Sequence, residues 1–117
     1  MTAPPAERIW RQATWAGLLT IAVLSLAPLA VPGAAHASDK LVHALTYGLL
    51  TGVCARGYRA LPLARVGGGV FLYGLALEGL QSLTGYRTAS AADALANAIG
   101  ISIMLVPLGF ARHPTRR

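Results

Sequence analysis

The stretch Ser38-Asp39-Lys40-Leu41-Val42-His43-Ala44-Leu45-Thr46-Tyr47-Gly48 places an acid, a base and a histidine at the head of an apolar run. On an α-helix, Asp39 and His43 stand one turn apart on the same face, with Tyr47 a further turn along. Two later stretches repeat the pattern of polar groups at the end of an apolar run. Glu78-Gly79-Leu80-Gln81-Ser82 closes one, and Arg87 through Asp93 to Asn97 opens another. Reading these three as the same end of neighbouring helices decides the fold.

The composition says what surrounds those helices. The chain has 117 residues, enough for one domain, with 55% hydrophobic and 12% charged residues. Its mean hydropathy is +0.55. Ordinary soluble domains carry about 25% charged residues. Half that amount leaves much of a small globule uncovered, so lipid is the expected solvent. The formal net charge of +6 does not indicate a nucleic-acid partner, because the arginines lie between apolar runs and form no basic stripe interleaved with aromatics. Cys54, the one cysteine, sits in an apolar run and reads as a small core residue.

The expected fold class is an all-α membrane protein, a bundle of four transmembrane helices at about residues 13–31, 41–58, 66–83 and 92–111. Short tails, 1–12 and 112–117, flank the domain. Residues 13–31 are uncharged and long enough to cross roughly 30 Å of hydrocarbon. A secretory signal ending at Ala35-His36-Ala37 is the rival reading. The apolar run exceeds the ~7–15 residues of such a signal, so a retained span is expected, and either way Asp39 lies outside the cytoplasm. Arg56 and Arg59 close the short second span by snorkelling. Gly48 and Gly52 form a GxxxG, read as a packing face against a neighbouring helix, with a homodimer contact as the alternative. Gly67, Gly68 and Gly69 allow close helix approach in the third span, and no Lys-Ser/Thr follows to make them a phosphate loop. Pro107 is expected to bend the fourth. Of the ten Lys and Arg, eight fall on one side and only Lys40 and Arg87 on the other. The positive-inside rule then makes both termini cytoplasmic, as in a multi-pass protein of a bacterial plasma membrane.

Superposed by depth, the polar stretches lie within roughly 10 Å of the outer interface. This layer holds Asp39, Glu78 and Asp93, three of the four acidic residues. Glu78 is the most informative. It lies in an apolar run, and a charge near the bilayer centre costs about 2.5 kcal/mol or more. It is therefore expected to face the interior and find a partner, with His43 and Arg87 at its depth. Gly74 and Gln81 share its face, while Asn97, Gly100 and Met104 continue that of Asp93.

The pattern D-K-x-x-H-x-x-x-Y-G (Asp39 to Gly48), E-x-x-Q (Glu78 to Gln81) and R-x-x-S-x-x-D-x-x-x-N-x-x-G (Arg87 to Gly100) resembles the VanZ-like family of small bacterial multi-pass membrane proteins. The match covers about half the chain. The resemblance implies a link to the cell envelope and to teicoplanin, a glycopeptide antibiotic. It marks Asp39, Lys40, His43, Tyr47, Glu78, Gln81, Arg87, Ser90, Asp93, Asn97 and Gly100.

Three readings of the layer remain open. The first is a structural ion-pair network pinning the helices. As an enzyme, Asp39 and His43 would form an oriented base and Glu78 an acid, with Lys40 and Arg87 holding phosphate or carboxylate. As a binding site, Lys40, Tyr47, Gln81, Arg87, Ser90, Asp93 and Asn97 would recognise an envelope lipid, a peptidoglycan precursor or a glycopeptide. No cofactor motif is present. A divalent metal on Asp39, His43, Glu78 and Asp93 is chemically reasonable without diagnostic spacing.

Overall fold

The computed structural model describes residues 2–27, 36–84 and 90–112, with the side chains of 36–39 outside the description. It is all-helical over those residues. Four helices follow one another, α1 (Pro5–Leu26), α2 (His36–Gly57), α3 (Leu63–Leu83) and α4 (Ala91–Arg112).

Local chemistry accounts for their limits. Pro4 and Pro5 begin α1, where a ring with fixed φ suits the first turn and the missing N–H costs nothing, and Glu7 complements the helix N-terminus. The helix therefore runs back through residues 5–12, where a polar tail was expected. Its end at Leu26 leaves the last part of the expected 13–31 span outside the described residues. Pro62 caps α3 and Thr84 ends it. Pro107 lies inside α4, and the helix continues past it to Arg112.

Two of the four helices, α3 and α4, with 21 and 22 residues, are long and apolar enough to cross a membrane. In α1 and α2 charged residues occupy the terminal turns, namely Glu7, Arg8 and Arg11 in the first and Lys40 and Arg56 in the second.

Contacts between ends give the topology. Arg11 near the start of α1 donates to Gly57 O at the end of α2, at 2.6 Å. Gln81 near the end of α3 donates to Ser25 O near the end of α1, at 2.9 Å. Lys40 in α2 pairs with Asp93 at the start of α4. Successive helices thus run antiparallel, and α2 packs against the other three.

The most extensive contact joins α2 to α4. A Cβ on Gly100 would collide with the carbonyl of Ala44, and one on Gly48 would stand 3.0 Å from Gly100 O. Gly52 meets Met104, so the Gly48/Gly52 face does pack against a neighbouring helix. Of the three consecutive glycines in α3, only Gly67 is covered, by Leu105 and Ile101, while Gly68 and Gly69 face open space. Tyr47, Leu50, Val70 and Ile101 form the apolar core, with Leu18, Ile21, Phe71, Tyr73 and Leu105 packed around it.

The rest of the burial pattern is inverted relative to a soluble domain. Thr14, Thr51, Glu78, Gln81 and Asn97 are buried, whereas every helix exposes large aliphatic or aromatic side chains, including Leu19, Leu45, Leu83 and Phe110. The far end is held by arginines. Arg112 donates to Ala55 O and Leu61 O, both at 2.7 Å, and Arg56 lies over the Trp10 ring.

Gly100→Ala is expected to destabilise the fold by about 2 kcal/mol, since overpacking a tight helix contact costs roughly 1–3 kcal/mol. Gly68→Ala should be neutral or slightly stabilising. Thermal unfolding in detergent checks both.

Candidate functional site

Helical spacing gathers the polar residues. Lys40, His43 and Tyr47 are separated by three and four positions on α2, Gly74, Glu78 and Gln81 by four and three on α3, and Asp93, Asn97 and Gly100 by four and three on α4. Each set forms one helix face. The α2 and α4 N-terminal ends and the α3 C-terminal end lie together, so the three faces converge.

Asp93 is the most connected of these residues. Its Oδ1 accepts from Lys40 Nζ, and its Oδ2 lies 4.0 Å from His43 Nε2. On the other side of the imidazole, Nδ1 is 3.1 Å from Asn97 Oδ1. An amide oxygen only accepts, so in this contact Nδ1 is the donor. Asn97 is 2% exposed, which fixes the imidazole against a rigid partner. Tyr47 stacks on the same ring, with 6.3 Å between centroids and 7° between planes. Its own ring occupies the space left by Gly74, where a Cβ would stand 2.9 Å from it.

Glu78 is buried, and its Oε2 accepts from the backbone N–H of Ser90 at 3.1 Å. Ser90 also caps α4, because its Oγ accepts from Asp93 N at 3.3 Å. Ser90-Ala91-Ala92-Asp93 has the sequence form of a capping box, in which the acid at the third position would bond back to the cap N–H. Here Glu78 of α3 takes that N–H, and the Asp93 carboxylate is turned to Lys40 and His43 instead. The α4 N-terminus carries partial positive charge and favours both acids. The sequence reading missed this cap, although the S-x-x-D signature announces it.

His43, Glu78 and Asp93 each offer a donor atom lying within 4.8 Å of the other two. His43 thus lies near Glu78, while the hydrogen bond Glu78 makes is to the Ser90 N–H. Arg87 and the Asp39 side chain lie outside the described residues. Gln81 takes a different place, since its amide is committed to Ser25 O and ties α3 to α1. Tyr73, whose hydroxyl donates to Leu18 O, makes a second tie of this kind.

A cavity lies elsewhere. A lateral cleft of about 640 Å³ runs between α1, α2 and α3, lined by Trp15, Leu18, Leu50, Cys54, Tyr58 and Tyr73 among others. Its walls are largely apolar and bring together no acid–base set, and the candidate site is the polar cluster.

Over the described residues the fold and site define an all-helical chain with two membrane-capable helices and a half-buried acid–imidazole–amide cluster at one end. No family model, no curated protein and no solved structure matches the chain.

A double-mutant cycle on His43→Phe and Asn97→Leu is expected to return a coupling energy of about 1 kcal/mol, as for groups in direct contact. Gln81→Leu is expected to cost about 1 kcal/mol through the lost bond to α1. Unfolding of the purified variants in detergent measures each.

Proposed function

We propose that this chain is a four-span plasma-membrane protein of a bacterium, with both termini in the cytoplasm. In this reading its outer polar cluster binds the anionic head group of an envelope lipid or lipid-linked precursor. The observation that carries it is the convergence of Lys40, His43, Glu78, Asp93 and Asn97 from three helices at one end.

Several features support the membrane reading for all four helices. Every one exposes a stripe of large apolar side chains, and contiguous exposed apolar surface of this kind marks contact with lipid or with another protein. The opposite end carries Arg11, Arg56, Arg59, Arg65 and Arg112 beside Trp10, Trp15 and Tyr58. Trp15 Nε1 donates to Tyr58 OH at 2.8 Å, and Arg11 lies over the Tyr58 ring. Basic residues with Trp and Tyr are the usual furniture of a cytoplasmic interface. Charged residues that face the bundle interior, as Glu78 does, mark functional sites by default in membrane proteins.

Binding is favoured over a purely structural network by the division of partners. Gln81, Tyr73, Arg11 and Arg112 tether helices through backbone carbonyls, at positions outside the cluster. Lys40 and Asp93 are partly exposed at the rim, where a head group can reach them. A phosphate there would meet the Lys40 ammonium and the α4 N-terminus. The resemblance to the VanZ-like family belongs to this proposal and rests on the spacing of the same residues.

Two measurements test it. In a Cys54→Ser background, Ser38→Cys should react with an impermeant thiol reagent from outside, and Thr115→Cys only after permeabilisation; the reverse pattern sinks the topology. Purified protein should retain a polyprenyl phosphate in native mass spectrometry, and Lys40→Gln should weaken that binding about 10-fold, a loss of roughly 1.4 kcal/mol. Unchanged binding in Lys40→Gln would remove the cluster from head-group recognition.

A further inference from the structure

Three facts about the cluster concern its own chemistry rather than its neighbours. Each of the three side chains has two candidate donor atoms, and in each one of them is held by a separate protein partner. His43 Nδ1 meets Asn97 Oδ1, Asp93 Oδ1 meets Lys40 Nζ, and Glu78 Oε2 meets the Ser90 N–H. One donor from each residue lies within 4.8 Å of the others. Donor atoms around a tetrahedral ion with bonds of about 2.1 Å stand ~3.4 Å apart, so small side-chain rotations close the set.

We infer that His43, Glu78 and Asp93 form a binding site for a divalent transition-metal ion of the zinc class. The inference rests on the functional reading of this cluster and adds what the cluster holds. The arrangement is the one metal ligands require. A coordinating histidine donates its second ring N–H to an oxygen, which fixes the ring and its tautomer, and coordinating carboxylates are themselves hydrogen-bonded. Asn97 supplies that oxygen from a fully buried position, and Ser90 and Lys40 hold the two acids.

The donor set selects the metal. One imidazole and two carboxylates suit zinc-class ions, whereas magnesium and calcium prefer oxygen alone. Two acids beside each other also call for positive charge. Among the described residues, Lys40 meets Asp93 and a neutral N–H meets Glu78. A dication between them offsets both carboxylates. Three protein ligands leave a coordination position for water or for an oxygen of a bound head group.

The set draws on three helices, which accounts for its invisibility in linear spacing. His43 lies on α2, Glu78 on α3 and Asp93 on α4. No pair falls within a single short motif of the H-x-x-x-H kind.

The test uses the full chain, purified in detergent, stripped with EDTA and titrated with zinc chloride by calorimetry. One zinc per chain is expected, unaffected by millimolar magnesium. His43→Gln, Glu78→Gln and Asp93→Asn should each weaken binding about 100-fold, and Asn97→Leu about 10-fold. His36→Ala with His113→Ala should leave it unchanged. X-ray absorption on the unmutated protein serves even if a variant fails to fold, and should show nitrogen and oxygen neighbours at about 2.0–2.2 Å. A sulfur neighbour at about 2.3 Å, undiminished binding in Glu78→Gln, or no stoichiometric zinc overturns the inference. Repeating the polyprenyl phosphate measurement with and without zinc separates the two proposals. Head-group binding without zinc binding removes the metal alone, and zinc binding without head-group binding removes the head-group reading alone.

Discussion

The approach of α2 to α4 at Ala44 and Gly100 sets the distances on which the rest of the structure depends. Without a side chain on Gly48 or Gly100, the two backbones come close enough for a carbonyl of one to occupy the place a Cβ would take on the other. One turn from that crossing, the gap is the width of an imidazole and an amide, which His43 and Asn97 fill. A further turn out, Lys40 reaches Asp93. A wider crossing would leave the buried Asn97 without His43, and a buried unsatisfied polar group costs about 1–3 kcal/mol.

Close approach matters more here than in a protein folded in water. If lipid surrounds the exposed leucines, transfer from water no longer drives helix association, and packing and interhelical hydrogen bonds replace it. The structure has the corresponding distribution of contacts. Gln81 and Tyr73 bind carbonyls of α1, while Arg11 and Arg112 bind carbonyls at the end of α2 and just beyond it. Among them, Ser25 O, Ala55 O and Gly57 O lie in the last turns of α1 and α2, where carbonyls lack intrahelical donors. The two ends of the molecule are thus held by different means, arginines at one and an acid–imidazole cluster at the other.

Ser90 shows how one local motif acquires a tertiary role. Its hydroxyl starts α4 by accepting the Asp93 N–H, and its own N–H is taken by Glu78 from another helix. That exchange turns the Asp93 carboxylate toward α2. The polar cluster is therefore built from a helix cap that has been completed by a neighbour.

Much of this was legible beforehand, because helical periodicity needs no tertiary knowledge. Spacings of three and four put Asp39 with His43 and Tyr47, Gly74 with Glu78, and Asp93 with Asn97 and Gly100. The α3 and α4 faces of the structure are those faces, while on α2 it is Lys40 that joins His43 and Tyr47, the Asp39 side chain lying outside the described residues. The position of Glu78 inside an apolar run already required a partner. Gln81 was legible as a polar residue on the Glu78 face but not as a tether to Ser25, since a backbone carbonyl on a distant helix leaves no trace in residue identity. The triple glycine looked uniform, yet only Gly67 meets a neighbour, because 100° of rotation per residue turns the other two away.

Residue order by itself determined the helical class, the apolar exterior and the faces on which the acids, the histidine and the amides stand, because each follows from local spacing and composition. Only the tertiary structure decided that Glu78 takes the Ser90 N–H, that Asp93 is shared between Lys40 and His43, and that α4 is the neighbour of the α2 glycines. Those pairings depend on the separation and rotation of whole helices, which are set by the sum of many small contacts rather than by any one residue.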